Sequence, residues 1–245
     1  MKFHLVVPCY RESLRIGAFL PELCAKMDLI GGVDVLVVED GSGSAEQVEM
    51  RRLMTDWRSQ FNCLVEPLML AKNLGKGGAV YAGWNKAGSA DWLGFVDADG
   101  SCSAEEVARL VGLAKSSEPN RRAFFASRVK MLGRKVDRYL KRHLLGRVYA
   151  TLVSEMLSIP VYDSQCGLKL VPRLAYEKVS KSLQVKGFAF DVELMVALLD
   201  SGCEIEEVPI NWQEIAGGKV SLIRDSWLMA MDVWAIKNRR DIGRM

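Results

Sequence analysis

Short apolar runs alternate with longer amphipathic stretches along this chain, and that alternation constrains the fold more than any other feature. The apolar runs span residues 3–7, 33–38, 63–67, 92–96 and 123–126. Stretches with helical periodicity separate them at residues 14–27, 45–61, 78–87 and 104–114. Uninterrupted apolar runs of this length are typical of strands buried on both faces, and strands that alternate with helices form parallel sheets. We therefore predict an α/β fold with a mainly parallel, Rossmann-like sheet flanked by helices.

Polar residues follow several of these runs at the point where each predicted strand ends. Asp40 follows the second run, and Arg128 lies just past the end of the fifth. Asp97 and Asp99 follow the fourth run. In an open parallel sheet, ligands bind beyond the carboxyl ends of the strands. The sequence therefore predicts that these side chains share one edge of the sheet and form one ligand site.

The segment Asp97-Ala98-Asp99 is the strongest candidate for chemistry. Two carboxylates one residue apart can share a hard divalent cation, Mg²⁺ or Mn²⁺, which bridges diphosphate oxygens and neutralises the charge on a leaving nucleoside diphosphate. The alternative is a turn that leads into a capped helix, since Asp and Gly favour turns. Ser103 followed by two acids is typical of a helix N-terminus. The strand before the pair and the helix after it favour the metal-binding interpretation.

Two further segments could contact a nucleotide. Asp40, in Asp40-Gly41-Ser42, could accept hydrogen bonds from a base or ribose, although a simple turn explains the same pattern. Residues 72–78 form a glycine-rich stretch that opens a predicted helix. Its backbone N–H groups and Lys76 could meet phosphates, but the spacing of a Walker A loop is missing.

Positive charge is concentrated in the middle of the chain. The protein has 245 residues and a formal net charge of +3. Residues 128–147 contain eight Lys or Arg and one Asp, which gives +7 for this segment alone. Apolar residues recur there every fourth position, at Val136, Leu140, Leu144, Val148, Leu152 and Met156. The pattern predicts a basic amphipathic helix, either packed on the sheet with a solvated basic face or lying in an anionic membrane interface.

Several classes of protein are disfavoured. The six cysteines are scattered without a C-x-x-C pair, which argues against a zinc site or a disulfide framework. No apolar stretch is long enough to span a membrane, and the N-terminus lacks the plan of a signal peptide. We expect a cytoplasmic protein, including one on the cytoplasmic face of a membrane, with no nucleic-acid partner. Only two histidines and no G-x-S-x-G motif occur, which argues against a Ser or Cys hydrolase.

The order and spacing of nine short motifs carry a resemblance to a known family. They are, in chain order, VVPCYRE (6–12), VEDGS (38–42), NLGKGGA (73–79), VDADG (96–100), ASR (126–128), DSQCGLK (163–169), FAFDVE (188–193), PINWQE (209–214) and GGK (217–219). The chain resembles glycosyltransferase family 2, which has the GT-A fold. Within it the chain is most similar to the polyprenyl-phosphate sugar synthases of the dolichyl-phosphate β-glucosyltransferase type. The resemblance covers nearly the whole chain.

The resemblance implies roles for individual residues. Six residues are implied to bind the donor, and Lys76 of the glycine-rich stretch joins them. The full set is Pro8, Tyr10, Glu12, Asp40, Lys76, Asp97 and Lys219. The implied metal ligands are Asp97 and Asp99, with Asp99 the more direct. Arg128 and a basic residue of the following helix, Arg138, are implied to hold the acceptor phosphate. Asp97, Asp99 and Arg128 are therefore the expected catalytic residues.

The resemblance also implies a reaction. It is an inverting transfer of a hexose from a nucleotide sugar to a polyprenyl phosphate, dolichyl or undecaprenyl, at a peripheral membrane surface. We expect one GT-A domain over residues 1–245, with residues 1–127 binding the nucleotide sugar and residues 128–245 forming the acceptor and membrane-interface half. Many mannose-type relatives carry Gln in place of Ser101 and Arg where this chain reads Trp212-Gln213-Glu214. These departures favour glucose, and UDP-glucose over GDP-mannose.

Two alternatives remain at this point. The first is a family 2 enzyme with a soluble or protein acceptor, suggested by the missing transmembrane helices. The second is a membrane-associated protein that binds nucleotide sugars without turnover, against which Asp97, Asp99 and Arg128 argue.

Overall fold

A computed structural model of the protein describes residues 1–117, 121–137, 140–215 and 224–243, and the side chains of residues 140–145 lie outside that description. The described strands are β1 (Phe3–Cys9), β2 (Val33–Glu39), β3 (Leu68–Met69), β4 (Trp92–Val96), β5 (Arg122–Ser127), β6 (Val136–Asp137), β7 (Leu168–Pro172), β8 (Glu204–Pro209) and β9 (Trp212–Gln213). The described α-helices are α1 (Leu20–Ile30), α2 (Ser44–Arg58), α3 (Lys76–Trp84), α4 (Ala104–Lys115), α5 (Leu140–Leu157), α6 (Arg173–Val179), α7 (Phe190–Asp200) and α8 (Arg224–Asp241).

The strands form a mainly parallel sheet, as predicted. Within the described residues the sheet has seven strands in the order β3-β2-β1-β4-β7-β5-β8. Every neighbouring pair is parallel except those that involve β7, which runs antiparallel to both β4 and β5. The short strands β6 and β9 pair separately. The carboxyl ends of β1, β2, β4 and β5 therefore meet at one edge, where the beginning of β7 also lies.

Apolar side chains cover both faces of the sheet, which explains the uninterrupted apolar runs. Leu5 and Val7 of β1 pack into a core with helices α1, α2 and α4. Val6 faces a second core built with α3, α5, α6, α7 and α8. Fully burying one such side chain contributes about 1.5–3 kcal/mol. Among the described residues, no helix combines the length and apolar character needed to cross a membrane.

Local boundaries differ from the sequence prediction where proline or tertiary pairing intervenes. The run 63–67 makes only one bridge, between Val35 and Leu64, and β3 starts just past Pro67, which has no N–H to donate. A short 3₁₀ turn precedes α1, which begins one residue before Pro21. Val136 belongs to β6 rather than to the basic helix. The predicted cap is confirmed, because Ser103 Oγ accepts from the backbone N–H of Glu106 at 3.4 Å.

Candidate active site

The carboxylate pair after β4 lies at the edge where the strands end. The backbone N–H of Asp97 donates to the carbonyl of Gly167 at 2.9 Å, and Lys76 Nζ lies 2.7 Å from Asp97 Oδ1. Gly167 must lack a side chain, since a Cβ there would lie 2.0 Å from Asp97 Oδ2. Burial, followed by the neighbouring Asp97 charge, raises the pKa of Asp99. The two carboxylates therefore repel each other in spite of the Lys76 charge, and a bound cation would relieve that repulsion.

The donor chemistry of this pair fits a divalent cation shared with a diphosphate. Carboxylate oxygens are hard ligands of the kind that Mg²⁺ and Mn²⁺ prefer. Among the described residues, no group of three or more His, Cys, Asp or Glu side chains is placed to hold a metal ion. A cation held by Asp97 and Asp99 would therefore share its remaining ligands with phosphate oxygens and water.

Asp40 organises the glycine-rich loop that leads into α3. Its Oδ1 accepts from the backbone N–H of Leu74 at 2.7 Å and its Oδ2 from that of Gly75 at 3.0 Å. Burial raises the pKa of Asp40 to about 6 in spite of these two hydrogen bonds. Gly41 packs so closely on the loop that a Cβ would lie 2.2 Å from the carbonyl carbon of Lys72. Both oxygens of Asp40 are engaged by the loop, so a direct contact with the donor remains a prediction.

The opening motif lies at the same edge. Pro8 pairs with Val38 in the parallel ladder of β1 and β2. Tyr10 is 36% exposed, and the guanidinium of Arg11 lies 5.1 Å from its ring centre. Glu12 is buried and forms a two-point ion pair with Arg15 at 2.8 and 2.9 Å. The motif is therefore in place to border a nucleotide, and its contacts with a donor stay predictions.

Arg128 is held by a partner that sequence reasoning missed. Its Nε and Nη2 donate to the two carboxylate oxygens of Asp163, each at 2.7 Å, and its backbone N–H donates to Asp163 Oδ2 at 2.8 Å. Burial alone would raise the pKa of Asp163, but the charge and hydrogen bonds of Arg128 outweigh it and lower the pKa to about 2. The guanidinium also lies 5.5 Å from the ring centre of Trp212.

A basic cavity of about 240 Å³ opens beside Arg128. Its lining includes Arg128, Lys130, Arg147, Tyr162, Asp163 and Gln165. Three cations against one carboxylate leave this cavity, hereafter the basic pocket, with a net positive charge. It is suited to an anion such as a phosphate.

The sequence model of glycosyl transferase family 2 matches residues 4–179 of the chain, which is most of its length. The chain belongs to glycosyl transferase family 2. It is similar to the dolichyl-phosphate beta-glucosyltransferases of Drosophila melanogaster, at 30% identity over 99% of this chain and 76% of that protein, and of Homo sapiens, at 30% identity over 96% and 74%. The enzyme of Saccharomyces cerevisiae is 29% identical over 95% and 73%.

Solved structures place this family 2 enzyme in the GT-A fold, as the resemblance implied. It superposes on glucosyl-3-phosphoglycerate synthase from Mycobacterium tuberculosis, in complex with Mn²⁺, UDP and glucosyl-3-phosphoglycerate, with a TM-score of 0.64 at 17% identity, over 96% of this chain and 78% of that one. For the mannosyltransferase PcManGT from Pyrobaculum calidifontis, in complex with GDP-Man and Mn²⁺, the TM-score is 0.63 at 15% identity, over 99% and 64%. At these identities the likeness establishes the fold.

A buried lysine in β7 supports the glycosyltransferase site from behind. Lys169 is fully buried, and its Nζ donates to the carbonyl of Cys166 at 2.8 Å and lies 3.3 Å from Asp191 Oδ1. The rings of Phe95 and Phe125 flank the ammonium at 5.3 and 5.1 Å. Lys169 thus fixes the turn that carries Gly167, whose carbonyl receives the Asp97 amide. The sequence analysis missed this pair, because Lys169 interrupts the apolar pattern that would have identified β7 as a strand.

The predicted residues of the enzyme divide into two groups. Those that the structure brings to the shared edge are Pro8, Tyr10, Glu12, Asp40, Lys76, Asp97, Asp99 and Arg128. Arg138 and Lys219 lie outside the described residues, and their roles stay predictions. Arg147 was counted in the basic run but not proposed as a site residue, and it lines the basic pocket.

Proposed function

We propose that the protein is an inverting glycosyltransferase that moves a hexose, with glucose favoured, from a nucleotide sugar to a polyprenyl phosphate such as dolichyl or undecaprenyl phosphate. One observation carries the proposal. The backbone N–H of Asp97 donates a hydrogen bond to the carbonyl of Gly167. Four residues before that glycine, Asp163 holds Arg128. A carboxylate pair suited to a leaving diphosphate therefore lies beside a pocket suited to an anionic nucleophile.

On the donor side, Asp97 and Asp99 would hold a divalent cation, Mg²⁺ or Mn²⁺. When bound, this ion neutralises the charge that grows on the departing nucleoside diphosphate. Lys76 adds a fixed positive charge at the start of α3, next to Asp97. In the proposal Pro8, Tyr10, Glu12 and Asp40 border the base and ribose, and Lys219 closes over the diphosphate. UDP-glucose is the proposed donor, and the names of the similar eukaryotic enzymes support glucose as its sugar.

On the acceptor side, the residues orient an anion rather than remove a proton. A phosphate monoester is largely dianionic near pH 7, because its second pKa is about 6. It needs no general base, which agrees with the position of His4. That histidine is buried in β1 with its ring nitrogen 3.1 Å from the carbonyl of Gly83, and burial lowers its pKa. Arg128, with Lys130, Arg147 and the predicted Arg138, would hold the acceptor phosphate for attack on the anomeric carbon.

A shallow, open groove on α5 beside the basic pocket supports a lipid acceptor over a soluble one. Arg147 lines both, and the groove continues past Val148, Leu152 and Met156, with the polar Thr151 and Glu155 along it. Val148 is 67% exposed. A polyprenyl chain attached to a phosphate in the basic pocket would find an apolar surface directly alongside. A soluble phosphorylated acceptor would leave this surface exposed to water, at a cost in free energy.

The same part of the molecule presents an apolar surface suited to a membrane interface. On α8, Trp227, Leu228, Met231 and Trp234 are each about half exposed or more. Tryptophan prefers the headgroup region of bilayers, and Lys130 and Arg147 of the neighbouring basic pocket would favour anionic lipids. We therefore propose peripheral association with the cytoplasmic face of a membrane.

The direct test is transfer of labelled sugar by the purified protein. UDP-glucose or GDP-mannose would be offered with Mg²⁺ or Mn²⁺ and either a polyprenyl phosphate or 3-phosphoglycerate. We expect glucosylation of the polyprenyl phosphate that chelator abolishes, and a rate lowered on the order of 100-fold or more by Asp99→Asn. Asp91→Asn, at the opposite end of β4, is the matched control and should leave the rate unchanged. Transfer only to the soluble acceptor, or full activity of Asp99→Asn, would contradict the proposal.

A further inference from the structure

Glu106 is a buried carboxylate that the proposed chemistry does not use. It lies in the first turn of α4, a few residues after Asp99, and is 4% exposed. Its neighbour Glu105 points elsewhere, forming an exposed ion pair with Lys26 at 2.7 Å. A buried carboxylate is stable only when its oxygens are matched by donors, so the partners of Glu106 indicate what it holds.

Those partners come from a segment that is distant in sequence. Glu106 Oε1 accepts from the backbone N–H of Asn211 at 3.0 Å and from Asn211 Nδ2 at 2.7 Å. Its Oε2 accepts from Arg109 Nε at 2.8 Å, and Arg109 Nη2 in turn donates to the carbonyl of Pro209 at 2.7 Å. Helix α4 therefore grips the chain where it leaves β8.

Asn211 connects Glu106 to the basic segment 128–137. Its Oδ1 accepts from the backbone N–H of Lys135 at 2.9 Å, and the N–H of Trp212 donates to the carbonyl of Lys135 at 2.9 Å. Arg134 Nη1 also lies 3.5 Å from Glu106 Oε1. One carboxylate thus joins α4, the end of β8 and the segment that borders the basic pocket.

The same cluster also contacts Arg128. The ring of Trp212, the residue after Asn211, lies under the Arg128 guanidinium. The next residue, Gln213, donates its N–H to the carbonyl of Ser101, two residues after Asp99, at 3.2 Å. A shift of Asn211 would therefore move Trp212 away from Arg128, whereas Asp97 has a separate anchor in the carbonyl of Gly167.

We propose that Glu106 is a positioning residue for the acceptor. Through Asn211 it fixes Trp212 and the basic segment, and Trp212 in turn helps to orient the Arg128 guanidinium toward the acceptor phosphate. The inference rests on the proposed function for the identity of the acceptor. Its geometric content, that Glu106 holds Lys135 and Trp212 in place, does not depend on which phosphate the enzyme uses.

The kinetic test compares Glu106→Ala, Glu106→Gln and the matched control Glu105→Gln in the full-length enzyme. We expect Glu106→Ala to raise the KM for polyprenyl phosphate about tenfold or more, because small misplacements of a binding group are costly. The KM for UDP-glucose should rise much less than the KM for polyprenyl phosphate, because Asp97 is held by Gly167 and Lys76 rather than by the cluster. Glu106→Gln keeps one oxygen for Asn211 and should restore part of the acceptor affinity. Equal rises in both KM values, or unchanged values with a lower melting temperature, would overturn the inference.

A second measurement needs no acceptor and separates this inference from the proposed function. Amide hydrogen exchange at Lys135 and Trp212 should be about tenfold faster in Glu106→Ala than in the wild type. Glu105→Gln should leave both amides unchanged. Wild-type exchange rates at Lys135 and Trp212 in Glu106→Ala would refute the positioning role even if glucosylation of polyprenyl phosphate were established. Faster exchange without any lipid glucosylation would instead count against the acceptor assignment alone.

Discussion

At the scale of single residues, three buried carboxylates hold other protein groups of the candidate site in place. Asp40 holds the glycine-rich loop, Asp163 holds Arg128 and Glu106 holds Asn211. Each is buried, and each accepts from at least two donors. Such arrangements fix geometry before a substrate arrives, which is what catalysis by positioning requires.

Replacing Asp163 tests whether its pair with Arg128 stabilises the fold more than an exposed ion pair does. Asp163→Asn leaves the Arg128 guanidinium, whose side chain is only 15% exposed, without its counter-charge. We expect a loss of about 3 kcal/mol in the free energy of unfolding, measured by urea denaturation. The control is Glu204→Gln, which breaks the exposed pair with Arg122 and should cost less than about 1 kcal/mol. Equal losses for the two variants would contradict the view that Arg128 and Asp163 form a buried unit.

Asp40 should give the stability a distinct pH dependence. Burial raises its pKa to about 6 from 3.8, so the folded protein binds this proton more tightly than the unfolded chain does. The resulting stability is fully present below pH 3.8 and is lost as pH rises through about 6. The wild type should therefore gain stability relative to Asp40→Asn between pH 7 and pH 5, measured by urea denaturation at both values. A difference that does not change with pH would show that Asp40 titrates normally.

At the scale of secondary-structure elements, the sequence predicted the strands and the helix cap that depend on interactions between residues close together in the chain. The strands β1, β2, β4 and β5 and the Ser103 cap follow from apolar runs and capping chemistry. Strand β7 was missed because Lys169 interrupts its apolar pattern, and its burial depends on Asp191, more than 20 residues away. The partnership of Arg128 with Asp163 spans 35 residues. Contacts between residues so far apart leave no periodic pattern in the sequence. The sheet edge that carries the site was therefore predictable, whereas the pairing of Arg128 with Asp163 and of Lys169 with Asp191 was not.

The exposed face of α5 offers a test at this scale. If the polyprenyl chain lies along the groove, Val148→Asn should raise the KM for a long-chain polyprenyl phosphate by about three- to tenfold, since burying a valine contributes about 1.5 kcal/mol. The KM for a short, water-soluble polyprenyl phosphate should rise less. Val48→Asn on α2 is the matched control, because Val48 is likewise 67% exposed on a helix. Equal effects on long and short acceptors would place the chain elsewhere.

At the scale of the whole molecule, the apolar surface of α8 and the basic pocket lie on connected elements. Helix α8 packs against α5, and Gln165 of the pocket lining contacts the sulfur of Met229 on α8 at 3.6 Å. Arg239 of α8 pairs with the buried Glu193, and Arg240 pairs with Asp200 at 2.7 Å. A membrane surface in contact with α8 would therefore lie close to the basic pocket.

Membrane contact through α8 predicts a specific loss of vesicle binding. Trp227→Ser combined with Trp234→Ser should weaken cosedimentation with vesicles of phosphatidylcholine and phosphatidylglycerol by about tenfold or more, because each indole contributes on the order of 1 kcal/mol on burial. Leu29→Ser, at an 85% exposed position on α1, is the control. If the double variant bound vesicles as well as the wild type, α8 would not be the docking surface.

The reversed direction of β7 has a consequence for insertions between β5 and β7. Residues 128–167 leave the sheet where β5 ends and return where β7 begins, and both points lie on the same edge, joined by Arg128 and Asp163. The Arg128–Asp163 pair therefore ties the two ends of this excursion together. The excursion contributes no residue to the pairings among β1, β2, β3 and β4, although its β6 pairs with β9 and its Gly167 accepts from Asp97. We therefore expect an insertion between Arg128 and Asp163 to alter the basic pocket while leaving those parallel strand pairings intact.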